Sequence, residues 1–136
     1  MDFLKSMSIA ASGLRAQAGR MRVIAENIAN ADSTAKEPGA DPYRRKIATF
    51  RSEMDRALGA DTVSLGRVRT DSSDFRMKYE PGHPAADTNG YVRYPNVNSL
   101  LEMTDMREAQ RSYEANLNVI GATRRMIQRT LDLLKA

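Results

Sequence analysis

The residues whose types could do chemistry cluster between positions 81 and 96. His83 is the single histidine and sits in Pro81-Gly82-His83-Pro84. A metal site or an imidazole acid–base pair needs partners at ligand spacing, and nearby Asp87 stands alone. Asp87-Thr88-Asn89-Gly90 looks like part of a calcium loop. Such a loop would begin at Ala85, so its first acid is missing, and its twelfth position is Asn96 rather than a glutamate. A hairpin turn explains the tetrapeptide better. The chain has no cysteine, which removes disulfides, thiolate nucleophiles and Cys-ligated zinc. Neither a glycine-rich phosphate loop nor a nucleophile elbow occurs. The expectation is a protein that is not an enzyme, with no catalytic, cofactor-binding or metal-binding residues and no small-molecule substrate.

The elements around this region point to assembly instead. Leu4, Met7, Ala11, Leu14, Ala18, Met21, Ala25 and Ile28 alternate steps of three and four. So do Met103, Met106, Gln110, Tyr113, Leu117, Ile120, Arg124, Ile127, Leu131 and Leu134. A 3.5-residue spacing keeps one narrow stripe facing a partner helix. Residues 3–29 and about 99–134 are therefore expected to be long helices. Ala11, Ala18 and Ala25, seven apart, would let backbones approach closely. Gly13 and Gly19 should weaken the first helix by up to ~1 kcal/mol each, leaving its order dependent on packing. Gln110 and Arg124 interrupt the second seam, as register-setting polar residues do.

The second helix should open on the capping box Ser99-Leu100-Leu101-Glu102. Its acids lie early and its bases late, in agreement with the helix dipole. Asn27 and Asn30 read as helix-ending residues, because asparagine tolerates the left-handed conformation.

The centre reads as a small irregular β unit. Residues 43–50 are expected as an edge strand guarded by Arg44 to Lys46, residues 51–58 as a short helix or loop, and 62–69 as a weak strand. Residues 74–79 alternate, with Phe75, Met77 and Tyr79 on one face, and 91–94 form a last strand before Pro95. The fold class expected is mainly α, with terminal helices in a coiled-coil layer. The segments are residues 1–30, 31–98 and 99–136.

Composition agrees. Among 136 residues, 41% are hydrophobic, only 6% are aromatic and there is no tryptophan; mean hydropathy is −0.55. That is a thin core for a compact globule, so part of the apolar surface should await a partner. The net charge of +4 is spread among interspersed acids, which argues against a nucleic-acid partner. Met1 to Ile9 holds Asp2 and Lys5 and does not read as a cleaved leader.

Ser12-Gly13-Leu14-Arg15-Ala16-Gln17 and Ile24-Ala25-Glu26-Asn27-Ile28-Ala29-Asn30-Ala31-Asp32-Ser33 resemble the axial proteins of the bacterial flagellum. In that family the first helix ends in Asn-Ile-Ala-Asn. Three further segments are similar to its proximal-rod members: Pro42-Tyr43-Arg44-Arg45-Lys46, His83-Pro84, and Asn89-Gly90-Tyr91-Val92-Arg93-Tyr94-Pro95-Asn96-Val97-Asn98. So is Arg111-Ser112-Tyr113-Glu114-Ala115-Asn116 ahead of a long helix. The delay from Ser33 to Tyr43 also fits the proximal-rod type.

The resemblance implies a structural subunit of the proximal rod of the basal body. Such a subunit is exported unfolded through the flagellar type III apparatus and built into a hollow drive shaft that spans the periplasm, transmits torque and supports motility. It implies copies of the chain itself and other rod proteins as partners, with basal-body ring and export-gate components besides. The assembly interface it implies comprises Leu4, Met7, Ala11, Leu14, Ala18, Met21, Ala25, Asn27, Ile28 and Asn30, together with Tyr113, Asn116, Leu117, Ile120, Ile127, Leu131 and Leu134. A cytosolic helical adaptor or coiled-coil oligomer is the alternative.

Overall fold

The computed structural model describes residues 2–135. Helix α1 spans Phe3–Ala29 and helix α2 spans Ser99–Lys135. Asp2 caps α1, its Oδ1 accepting from the backbone N–H of Leu4 at 3.1 Å and of Lys5 at 3.3 Å, groups that the helix itself leaves unpaired. The end of α1 is tied by Asn30, whose Nδ2 donates to the Glu26 carbonyl at 2.9 Å. The expected helix limits hold to within one residue.

The start of α2 differs in mechanism from the capping box. Asn98 is the cap: its Oδ1 accepts from Leu100 N at 3.1 Å and Leu101 N at 3.4 Å. Glu102 does not reach back to the cap. It is 1% exposed and turned inward.

Between the helices lie three antiparallel two-stranded ladders rather than one sheet. β1 (Lys46–Ile47) pairs with β4 (Arg69–Thr70), β2 (Phe50–Asp55) with β3 (Ala60–Leu65), and β5 (Arg76–Tyr79) with β6 (Tyr91–Tyr94). The expected strand 43–50 shrinks to two residues. Residues 51–55 are strand where a helix or loop was expected, and the expected strand 62–69 breaks at Gly66, whose N–H turns to the Thr49 carbonyl at 2.6 Å.

The turn after β5 is as anticipated. Asp87 Oδ1 accepts from Asn89 N at 2.8 Å and Tyr91 N at 2.9 Å, and Gly90 has φ of 86°, a region open to glycine. His83 Nδ1 accepts from Ala85 N at 3.0 Å, which makes it a turn residue. Among the described residues, no group of His, Asp and Glu side chains is placed to hold a metal ion, and no helix is long and apolar enough to cross a membrane.

The chain forms two compact units. One comprises residues 1–21, 48–67 and 107–136, the other 22–47 and 68–106. In the first, Ala10, Ser12, Ala16, Ala109 and Thr123 are buried, a core of small side chains. Val63 N donates to Ser12 Oγ at 3.2 Å and so hangs the β2–β3 hairpin on α1. In the second, Val23, Ile24, Ala31, Val92 and Val97 surround the buried polar side chains of Asn27 and Glu102.

Candidate assembly site

In the second unit, the asparagine at the end of α1 is the hub of a polar node. Asn27 is 1% exposed and makes four hydrogen bonds. Its Nδ2 donates to the Lys46 carbonyl at 2.7 Å and to Glu102 Oε2 at 3.1 Å. Its Oδ1 accepts from the Tyr43 hydroxyl at 2.8 Å and from Lys46 N at 2.9 Å. Glu102 is held in turn by Arg45, whose Nε donates to Oε1 at 2.5 Å. Arg45 also faces Asp71 at 3.4 Å and Asp105 at 3.7 Å. Asn96 closes the ring: its Oδ1 accepts from Arg45 N at 2.8 Å, and its Nδ2 donates to the Asp71 carbonyl at 3.1 Å. One cation and one amide thus tie four chain segments together. A buried carboxylate is tolerable only when paired and hydrogen-bonded in this way.

The electrostatics follow the geometry. Burial, and then the charges of Glu26 and Glu102, push the Tyr43 phenol up to about 12. Burial alone would lower Arg45, but its hydrogen bond to Glu102 and the charges of Glu102 and Asp71 outweigh it and hold the guanidinium above its ordinary value. The Ser73 N–H and hydroxyl, with Arg45, hold Asp71 below the usual carboxylate range. A phenol raised in the folded state adds stability that is complete below its unfolded pKa of about 10 and is lost as pH rises through the folded value. Stability should therefore fall between about pH 10 and about 12, and Tyr43→Phe should flatten that decline. Thermal melts across the range, read beside tyrosinate absorbance, check it; an unchanged slope in the variant would refute the assignment.

In the first unit the helices approach antiparallel. A methyl group at Gly13 would stand 2.8 Å from Asn116 Nδ2, and one at Gly19 would stand 2.9 Å from Leu65 Cδ2. Arg20 meets Glu108 at 3.4 Å. The glycines that read as weak points in α1 are thus points of contact. Gly121 has only Arg125 of its own helix nearby, so no packing contact accounts for it.

The covered stripes differ in phase from the expected seams. On α2, Glu102, Ala109, Asn116 and Thr123 recur at intervals of seven and are buried or half-buried, between the half-buried Met106, Tyr113, Ile120 and Ile127. Gln110, Leu117 and Arg124, one position along, are exposed, as are Leu131 and Leu134. The polar interruptions expected at Gln110 and Arg124 are therefore not in the covered stripe. Small or paired side chains occupy it instead.

On α1, the covered line runs through Ser12, Ala16, Val23 and Asn27. Leu4, Ala18 and Ala25 are exposed, while Met7, Ala11, Leu14, Met21, Ile28 and Asn30 are half-buried. Ala18 and Ala25 stand roughly 200° around the helix from Ala16 and Asn27, at about 100° per residue. Within the chain a close contact falls at Gly13, against Asn116, while Ala18 and Ala25 face outward. Helix α1 thus carries small side chains on two nearly opposite sides, one covered by its own chain and one left outward beside Arg15 and Arg22. Reasoning from sequence missed Arg45, Glu102 and Asn96, because only their distant partners give them meaning.

Comparison with known proteins places this geometry. Residues 7–35 match the family model described as flagella basal body rod protein, and residues 88–133 match that described as flagellar basal body rod FlgEFG protein C-terminal. The chain is 57% identical to the flagellar basal-body rod protein FlgC of Agrobacterium fabrum, over 100% of this chain and 99% of that one. It is 42% identical to the FlgC of Salmonella typhimurium, over 98% of each. Against the FlgC of Bacillus subtilis the figure is 35%, over 99% of this chain and 100% of that one.

Proposed function

The chain belongs to the FlgC family of flagellar basal-body rod proteins, and from that premise we propose that it is a proximal-rod subunit whose helices enter a coiled-coil layer on assembly. The family makes it a structural protein of the basal-body rod rather than an enzyme, assembling with other rod components. The proposal adds how. The chain leaves the cytoplasm unfolded through the flagellar type III apparatus and joins a hollow shaft across the periplasm that transmits motor torque. Its neighbours there are copies of itself and other rod proteins, with ring and export-gate components adjoining.

One observation carries this reading. The alanine face of α1 leaves Leu4, Ala18 and Ala25 exposed beside Arg15 and Arg22; its small side chains suit close packing, yet it lies opposite the side its own chain covers. Small side chains at heptad spacing suit a second helix at short range better than they suit water. Many long helix contacts along a shaft also resist shear over their whole length.

Ala18→Leu tests the proposal. The residue is exposed, so the isolated chain should keep its fold and its expression level, a change within about 0.5 kcal/mol. Rod formation and swimming should be lost, because the added side chain holds the neighbouring helix off. Motility assays and basal-body preparations from a strain carrying the variant decide it; normal rods would remove the alanine face from the interface.

A further inference from the structure

The β2–β3 hairpin presents an unpaired strand edge. β3 turns its own edge to α1, where Val63 N donates to Ser12 Oγ at 3.2 Å, and β2 pairs with no strand but β3. From Phe50 to Met54 every residue of β2 is exposed. An antiparallel ladder alternates hydrogen-bonded and non-bonded pairs. Gly66 N donates to the Thr49 carbonyl, so the bonded pairs run on through Arg51–Ser64 and Glu53–Thr62. The N–H and C=O groups of Phe50, Ser52 and Met54 therefore point outward. Among the described residues, no hydrogen bond from another segment reaches them. An edge of this length without proline, lysine or bulge is open to strand addition.

The order of side chains along this edge says what it fits. Phe50-Arg51-Ser52-Glu53-Met54 runs apolar, basic, small, acidic, apolar. Two copies running antiparallel about Ser52 set Phe50 against Met54, Arg51 against Glu53 and Ser52 against itself. In that register the three outward-facing residues form the bonded pairs, as the backbone requires. Arg51 and Glu53 fall in the non-bonded pairs, where side chains stand closest. A slip to the next register with the same bonding sets Arg51 against Arg51 or Glu53 against Glu53, which repels. Within one chain Arg51 and Glu53 touch only loosely, at 3.9 Å with side chains 68% and 60% exposed. Pairing gathers them into a ring of four alternating charges. The exposed strand β5 has no such symmetry, since it carries Arg76 and Lys78 and no acid.

We propose that two free copies of this chain pair through β2, antiparallel about a two-fold axis at Ser52, and join their hairpins into one four-stranded sheet. Phe50 and Met54, 44% and 59% exposed in the single chain, then cover each other across the junction. A lone two-stranded ladder is marginal in water, whereas more strands sharing an apolar face support one another. The contact is isologous, so it closes on itself. It goes beyond the rod reading, because a closed pair does not propagate along a shaft.

Sedimentation of the purified full chain measures the pairing, and a concentration-dependent dimer is expected. Ser52→Pro removes an N–H that takes no part in the β2–β3 ladder, so the hairpin is retained. The dimer should weaken at least about thirtyfold, the loss of two hydrogen bonds. Arg51→Glu, on an exposed side chain, should also weaken it by setting four acids together. Adding Glu53→Arg to that variant should restore it, because the exchange rebuilds the symmetric order. With no native cysteine, Ser52→Cys should cross-link to its own kind through a short bismaleimide. Asp61→Cys, about 20 Å from its counterpart by the strand spacings, should not. A chain that stays monomeric, a dimer that survives Ser52→Pro or Arg51→Glu, or equal cross-linking at 52 and 61 would overturn the contact. Whether the chain enters basal bodies tests the rod reading separately and leaves this result unchanged.

Discussion

Arg45→Ala is expected to destabilise the second unit by about 3–5 kcal/mol, the cost of leaving a buried charge without its partner. Glu102 is 1% exposed and faces Arg45 Nε at 2.5 Å. With the guanidinium gone, its carboxylate keeps only the Asn27 amide at 3.1 Å and is left without a partner charge. A typical domain has only about 5–15 kcal/mol in total, so the loss is large. Replacing both partners together, Arg45→Met with Glu102→Leu, should cost much less, because no charge is then stranded. Amide hydrogen exchange at residues 43–47 and 99–106 reads the effect directly: protection should collapse in the single variant and largely return in the double. A loss below about 1 kcal/mol in the single variant, the size expected of an exposed pair, would mean that the node is not buried as described.

The second large effect separates two asparagines that look alike in the sequence. Asn27→Leu removes four hydrogen bonds at once, orphaning Lys46 N–H, the Lys46 carbonyl, the Tyr43 hydroxyl and one oxygen of Glu102. Each buried orphan costs about 1–3 kcal/mol, and the sum should exceed about 3 kcal/mol even if the site relaxes. Asn30→Leu loses only its bond to the Glu26 carbonyl and one from Ser33 Oγ, at a helix end where water replaces both; about 1 kcal/mol or less is expected. Denaturant titrations of the two variants side by side measure the contrast. Equal losses would return Asn27 to the status of an ordinary helix end. In cells, the Asn27 variant should also be the one that lowers rod incorporation.

The helices were legible because a long periodic pattern is a local signal, repeated often enough to survive Gly13 and Gly19. The β5–β6 pair was legible from its alternating strands and the turn residues between them, although the connection runs over residues 80–90 and Asn89-Gly90 only ends it. Strand β2 was not. Phe50 and Met54 lie four apart, as on a helix, and the charged residues between them suit a loop. Only pairing with β3, itself hung on Ser12, makes the segment extended. The side of each helix that its own chain covers was not legible, because small residues carry little weight in an apolar pattern. Ala16 and Ala109 are buried, while Leu4, Leu117, Leu131 and Leu134 are exposed. Ser99 and Glu102 satisfied a local capping pattern, but Asn98 took the cap and a guanidinium 57 residues away took the carboxylate. Asn27 was visible as part of a motif; its partners, 16, 19 and 75 residues on, were not.

Those separations bear on the order of events when the chain takes shape. The polar node cannot close until Glu102 is at hand, and a loop of 75 residues must be drawn in before Asn27 meets it. Loop closure carries its entropic cost before any contact compensates for it, so pairings this distant form late. Asn27 can meet Tyr43 and Lys46 first, across only 16 and 19 residues, while Arg45 waits for Glu102 until the start of α2 is in place. The node acts as a delayed latch, tight only when the start of α2 has come to it.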